Sequence, residues 1–345
     1  MAGRARTLAR RELNRALLAR QLFLERARIA VPRALEQLAG LQAQYAPSMY
    51  VGLWSRVAGF RRNDLTRALE QRSVAQGTLM RATIHLVSAR DYWPFAVAIR
   101  EARRRWWLRV QRGEPPEEEL SAAARVRARL ADGPLRRHEL DALAGTARAS
   151  GVGLWLDLLR VPPSGTWEPR RADVYALAEG WLGPPRIEPP AALDHLVRRY
   201  LGAFGPATRD DIADWAGMPA GDILPALGRL RLRRLSTEDG RELLDVPGAA
   251  LPDPNTPAPL RFLPPWDATL LVHARRTGIL SEEHRPLVFN TKTPHSVGTF
   301  LVDGSVAGTW SYRDGRVIAE PFSRLPRTPV RELREEADRL AAFHG

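Results

Sequence analysis

The sequence predicts an α+β protein, mostly helical, built from three tandem helix–turn–helix units with a small β-rich module behind them. Three observations predict it. First, the stretch Ala131–Gly145 repeats without a gap as Ala203–Gly217. Gly133-Pro134 falls on Gly205-Pro206, Arg137 on Arg209, Leu140 on Ile212, and Ala144-Gly145 on Ala216-Gly217. Each copy reads as a turn, a short helix with one apolar face, and a glycine that ends it. Second, the N-terminal part runs through three helical patterns and then into alternating, β-type sequence, the element order of a winged helix. Third, the composition changes at Pro247: seven prolines lie between Pro247 and Pro265, followed by short β-type runs.

Taken in order, residues 10–30 predict a first helix, with Leu13, Leu17, Leu18, Leu22 and Leu24 near helical spacing. Pro32 opens a second helix whose apolar stripe is Leu35, Leu38 and Leu41. It carries Gln42 and Gln44 at its end and stops at Pro47. A third helix follows over Arg62–Gln71, with Asn63-Asp64 as its cap. Residues 75–87 then predict a strand pair, apolar at Ala82, Ile84 and Leu86.

In the two repeat copies a second helix is expected over Gly153–Val161 and Asp222–Leu232. Strand pairs follow, from Thr166-Trp167 to Tyr175 and from Leu235 to Val246, the latter around Asp239-Gly240. The opening stretch Leu35–Gly40 carries a reduced form of the same Leu-x-x-Leu-Ala-Gly pattern as Leu140–Gly145. Beyond the prolines, Ala268–Val272, Gly298–Val302, Ser305–Ser311 and Val317–Pro321 predict strands of a small β-barrel-like module, and Thr328–Phe343 a closing amphipathic helix. Asp303-Gly304 suits a two-residue type I′ hairpin, and Arg313-Asp314-Gly315 marks a second turn. The expected units are 1–115, 116–190, 191–250 and 251–345.

The 52 Lys and Arg against 39 Asp and Glu leave a net charge of +13, which points to a polyanionic partner, nucleic acid first. Lys292 is the only lysine. The absence of cysteine removes disulfides, thiolate metal sites and a cysteine nucleophile. The seven histidines show no metal-ligand spacing, so no metal or cofactor is expected. No apolar run of about 18 residues and no signal-peptide pattern occurs, so the expected location is the cytoplasm, on the nucleoid when bound to DNA, with no membrane partner.

Five stretches together carry a family resemblance: Gly40-Leu41-Gln42-Ala43-Gln44, Tyr50-Val51-Gly52-Leu53-Trp54, Arg81–Val87, Gly202–Thr208 and Arg261–Asp267. With them the chain resembles the AlkZ/YcaQ-like winged-helix DNA glycosylases of bacteria. The resemblance implies three winged helices and a C-terminal β-barrel in a C-shape around duplex DNA. It also implies a catalytic signature of glutamine, an apolar residue, then glutamine or aspartate. Here the signature reads Gln42-Ala43-Gln44. That is the AlkZ-like form, associated with self-resistance to DNA-alkylating natural products such as azinomycin.

Glutamine neither titrates nor carries charge, so it makes a poor general base. It can hold water and turn a dipole toward a developing sugar cation. Such help suffices where the leaving base is already cationic, as guanine alkylated at N7 is. The expected function is therefore a monofunctional DNA glycosylase acting as a monomer on duplex DNA carrying alkylated purines, with interstrand cross-links included. A non-catalytic winged-helix regulator is the alternative. Glu36 or Asp64 would be the carboxylate if one were hidden near the glutamines.

Other candidates concern DNA contact. Arg103, Arg104 and Arg105 precede Trp106-Trp107 and are either phosphate contacts or a solvated face over a buried tryptophan. Arg81, Thr83 and His85 share one face of the expected strand and are candidates for the cleft wall, a backbone-satisfied histidine being the competing reading. Trp54, Trp155 and Trp181 read as packing residues. The hairpin at Asp303 and Gly304 is, by the resemblance, a candidate to enter a DNA groove. Lys292 would have to carry any Schiff-base chemistry.

Overall fold

A computed structural model describes residues 6–111, 117–145, 149–171, 173–271, 278–290 and 295–345. The chain starts with strand β1 (Arg6–Leu8) and helix α1 (Arg10–Arg20), followed by α2 (Val31–Leu38), strand β2 (Leu41–Gln42), α3 (Ala46–Trp54) and α4 (Arg62–Glu70). Strands β3 (Val74–Thr78) and β4 (Ile84–Ser88) flank a 3₁₀ turn at Met80–Ala82, and the long helix α5 (Ala89–Gln111) follows.

The first repeat copy supplies α6 (Glu117–Leu130), β5 (Leu135–Arg136), α7 (Arg137–Ala144), α8 (Ala149–Trp155), β6 (Leu158–Arg160), β7 (Val174–Leu177) and α9 (Ala178–Leu182). The second supplies α10 (Pro189–Phe204), α11 (Arg209–Ala216), α12 (Ala220–Arg229) and the hairpin β8 (Arg233–Thr237) and β9 (Glu242–Asp245). Helices α7 and α11 occupy the repeated register, and Gly145 and Gly217 end them at φ 64° and 75°. Thr208 caps α11 by accepting from Asp211 N at 3.1 Å, while its own N–H donates to the Asp211 carboxylate at 3.1 Å.

The remaining chain forms β10 (Arg261–Leu263), α13 (Arg285–Val288), the pair β11 (Phe289–Asn290) and β12 (His295–Ser296), then β13 (Gly298–Val302), β14 (Ser305–Arg313), β15 (Arg316–Pro321) and α14 (Arg327–His344). Both expected tight turns form, with Asp303-Gly304 and Asp314-Gly315 at positive φ.

Sheet pairing crosses the expected unit boundaries. The six-stranded sheet runs β2-β4-β3-β6-β7-β5, so strands of the first stretch and of the first repeat copy share one ladder. Strand β1 pairs in parallel with β8. The central core gathers Phe95, Tyr200, Phe204 and Trp215 where α5, α10 and α11 meet. Ion pairs bind the N-terminal segment to distant parts: Arg20 to Asp245 at 2.7 Å and Arg56 to Asp267 at 2.8 Å are buried, while Arg15 to Asp303 and Arg26 to Glu336 are partly exposed.

Several expectations change. The first helix stops at Arg20 rather than continuing to residue 30, because Leu22 turns left-handed at φ 60° and sends Phe23 into the core. The glutamines are not on a helix. Ala39 (φ 56°) and Gly40 (φ 85°) end α2 and turn the chain into β2, and Pro47 sits in the first turn of α3 instead of ending α2. Asp64 caps α4 from its third position, accepting from Arg61 N at 2.8 Å. Ala82 lies in the 3₁₀ turn, outside any strand. Thr166-Trp167 is loop; the partner of β7 is β6, in the span expected to continue helix α8. Ala268–Leu270 is a 3₁₀ turn rather than a strand, and Val272 lies outside the described residues.

The C-terminal module is also not a closed barrel among the described residues. Its sheet runs β10-β13-β14-β15 and stays open at β10 and β15. The apolar side chains Phe262, Phe300 and Trp310 cluster with Tyr50, Leu53 and Phe60 of the N-terminal part, and with Leu333 and Leu340 of α14. Packed against another module, the sheet has no need to close on itself.

Gly40 makes the step from α2 to β2 possible. A Cβ there would lie 2.8 Å from Val87 Cγ1 and 3.0 Å from the Leu86 carbonyl, at a φ that disfavours side chains. Gly40→Ala is therefore expected to destabilise the protein by about 1–3 kcal/mol. Urea denaturation checks this, as a lower midpoint with an unchanged slope; an unaltered midpoint would contradict it.

Candidate active site

The Gln42-Ala43-Gln44 stretch leaves the end of edge strand β2 and stays laid against β4. Leu41 pairs with Leu86 and Gln42 with His85, and Ala43 N donates to the Ile84 carbonyl at 2.8 Å. The Gln44 side chain then completes the ladder, its Oε1 accepting from Ile84 N at 2.7 Å. Gln44 is exposed, whereas Gln42 is 6% exposed.

Gln42 Oε1 accepts from Arg81 Nη2 at 3.0 Å. The other arm of the same guanidinium, Nη1, donates to the Trp215 carbonyl at 2.7 Å, near the C-terminus of α11. Both donors are unambiguous, so both amide orientations are set: each glutamine turns its oxygen to the protein. The Gln42 amide nitrogen makes no hydrogen bond among the described residues, yet it is not one of the sealed, partnerless buried atoms. It is left as an unused donor.

Arg81 lies in the 3₁₀ turn at φ 54°. Burial lowers its pKa to about 10, so it remains a cation at neutral pH, and no carboxylate pairs with it among the described residues. His85, directly across from Gln42, is buried. Burial first, and the Arg81 charge second, push its pKa down to about 3, against a smaller opposing effect of the Thr83 carbonyl 3.1 Å from Nδ1. Its Nδ1–H donates to that carbonyl, and the ring is neutral at physiological pH. Thr83 Oγ1 donates to the Met80 carbonyl at 3.0 Å. The structure thus brings Gln42, Gln44, Arg81, Thr83 and His85 together.

The two carboxylates considered for the site stand elsewhere. Glu36 pairs with Arg33 at 2.5 Å and Arg199 at 3.5 Å, and Asp64 with Arg67 at 3.3 Å. Nor do the arginines of α5 form one patch. Arg103 donates to the Thr78 carbonyl at 2.9 Å and braces the β3–β4 hairpin. Arg104 lies over the Trp155 ring and pairs with Glu101, while Arg105 pairs with Asp222. Trp107 is buried and donates to Glu119 at 3.0 Å; Trp106 is 47% exposed.

Asp303 and Gly304 dock on α1. Arg11 and Arg15 pair with Asp303, and Asn14 Nδ2 donates to the Gly304 carbonyl at 2.8 Å. Lys292 lies outside the described residues. Sequence reasoning missed Trp215 and Gly217, which reach this site from the second repeat copy. Gly217 was legible as a helix end, but nothing local signalled what its open side would meet.

The neutral histidine makes a testable contribution to acid sensitivity. Its folded pKa lies below the unfolded value, so between pH 6.5 and about 3 the unfolded chain takes up a proton that the folded chain does not. Stability is full above that window and declines as pH falls through it. His85→Gln is expected to flatten this part of the slope in urea denaturation series from about pH 7 to about pH 4. Parallel slopes for the two proteins would contradict it.

Comparison with known proteins supplies the family. The family described as "DNA glycosylase AlkZ-like" matches residues 35–343. The interstrand DNA cross-link repair glycosylase of Streptomyces sahachiroi is 25% identical over 360 aligned residues, covering 94% of each chain. The solved structure of Streptomyces sahachiroi DNA glycosylase AlkZ superposes with a TM-score of 0.82 at 21% identity, over 98% of this chain and 97% of that one. With a family match that runs from residue 35 to residue 343, this chain belongs to the AlkZ-like DNA glycosylases.

Proposed function

We propose that this protein hydrolyses the N-glycosidic bond of cationic N7-alkylguanine in duplex DNA, with Gln42 and Gln44 as the reacting end. The observation that carries the reading is that no acid or base titrating near neutral pH stands at the glutamines, whose one charged neighbour is the Arg81 cation. Two glutamines and a neutral histidine line the site, while Glu36 and Asp64 are engaged in ion pairs away from it. Nothing there supplies a proton to a leaving base or a strong base to water. N7-alkylguanine needs no proton, because it departs as a neutral purine.

Water is the nucleophile, and no covalent enzyme intermediate forms. Each glutamine oxygen has one lone pair engaged by the protein and a second that can accept from water or face the sugar cation. The relative named as an interstrand cross-link repair glycosylase extends the candidate substrates to cross-links at that nitrogen. We read the helix and hairpin repeats as three winged-helix units that hold the duplex as a monomer, the basic excess meeting phosphate. Family membership favours this reading over a non-catalytic regulator.

Incubation with duplex DNA containing 7-methylguanine is expected to release the free base. Gln42→Ala combined with Gln44→Ala should lower the rate at least about 100-fold while DNA binding persists. Retained excision in that double variant would overturn the assignment. The rate should also show no carboxylate limb near about pH 5, and a clear one would reveal a titrating acid or base.

A further inference from the structure

We propose that Arg81 is the positioning residue for Gln42, and that helix α11 sets the angle of the reacting amide through it. The inference rests on the proposed role of Gln42. It starts from the guanidinium, a planar group that only donates. Its two arms span two acceptors from opposite parts of the chain: the Gln42 amide oxygen at 3.0 Å and the Trp215 carbonyl at 2.7 Å. Because arginine has no acceptor, the amide cannot turn over without losing its partner. Its nitrogen is therefore left without a protein partner among the described residues, as a pair of N–H donors.

The Arg81 backbone is held as firmly as its tip. It lies at φ 54°, and Gly217 backs against it so closely that a Cβ there would be 2.7 Å from Arg81 N and Cα. The Trp215 carbonyl belongs to the last turn of α11, where the helix dipole is negative and attracts a cation. No carboxylate competes for Arg81 among the described residues, so its charge is shared between two carbonyl-type oxygens.

The geometry gives the two ends of the amide different duties. The oxygen is anchored through one lone pair and keeps the other for water or the sugar cation, while the N–H donors are left to the substrate, whose leaving purine offers acceptors at N3 and O6. Strain or movement at α11 passes to Gln42 through one guanidinium, with no contact between α11 and the glutamine required.

Single-turnover base release from 7-methylguanine duplex, measured with DNA affinity, tests this. Arg81→Met is expected to lower the rate about 10- to 100-fold and leave affinity unchanged, with Arg81→Lys recovering part of the loss. Added methylguanidinium should rescue Arg81→Ala. Gly217→Ala, which touches neither glutamine, should lower the rate in the same way, and it decides the question if the Arg81 variants do not fold. Gln42→Glu keeps an acceptor for Arg81 but loses the N–H donors, so it should be slow.

Unchanged rates in Arg81→Met and Gly217→Ala would overturn the proposal. Weaker DNA binding at an unchanged rate would overturn it too, making Arg81 a phosphate contact. A fast Gln42→Glu alongside an inactive Gln42→Ala would overturn the presented nitrogen. Full activity in Gln42→Ala would instead remove the functional reading on which the inference rests.

Discussion

Burying charge is the constraint on which the rest of this structure depends. Arg15, Arg20 and Arg56 are buried arginines near the N-terminus, and each has its carboxylate more than two hundred residues away. Asp245 and Asp267 are themselves buried. An unpaired charge at such depth costs several kcal/mol, on the order of 3–5 when one partner is lost. The three pairs are therefore all satisfied only when the N-terminal helices, the β8–β9 hairpin and the C-terminal part are docked together. The open edge of the C-terminal sheet follows from the same docking, since its apolar face is covered by the N-terminal part and α14.

That docking builds the site. Strand β4 lies between β2 and β3, and its neighbours fix it from three directions. Gln44 caps the β2 edge through Ile84, Arg103 holds Thr78 directly across from Ile84, and Arg81 ties the intervening turn to α11. The glutamines are thus mounted on a sheet edge, a more rigid support than the helix end expected from the leucine stripe. The polarity of the site is set by what is kept out of it. His85 stays neutral because it is buried beside a cation, and Glu36 is engaged by Arg33 and Arg199.

The arginine excess shows where charge counting stops. Arg104, Arg105, Arg11 and Arg15 all find partners inside the molecule. The Asp303-Gly304 turn, read as a hairpin able to reach DNA, is engaged on α1. Net charge gives the kind of partner but not the residues that meet it, because an arginine tied to a carboxylate and a free one look alike in sequence.

The sequence by itself determined the α+β class, the repeat that became α7 and α11, both Asp-Gly turns, and the Gln42-Ala43-Gln44 motif with its family. These rest on local periodicity, turn chemistry and residue type, all carried by neighbouring residues. Only the tertiary structure decided that Gln42 ends an edge strand with Gln44 just beyond it, that their oxygens face inward, and that Arg81 links Gln42 to Trp215. That link joins positions separated by more than a hundred residues. It exists because Gly217 leaves room for the Arg81 backbone, a steric fact with no local trace in either stretch.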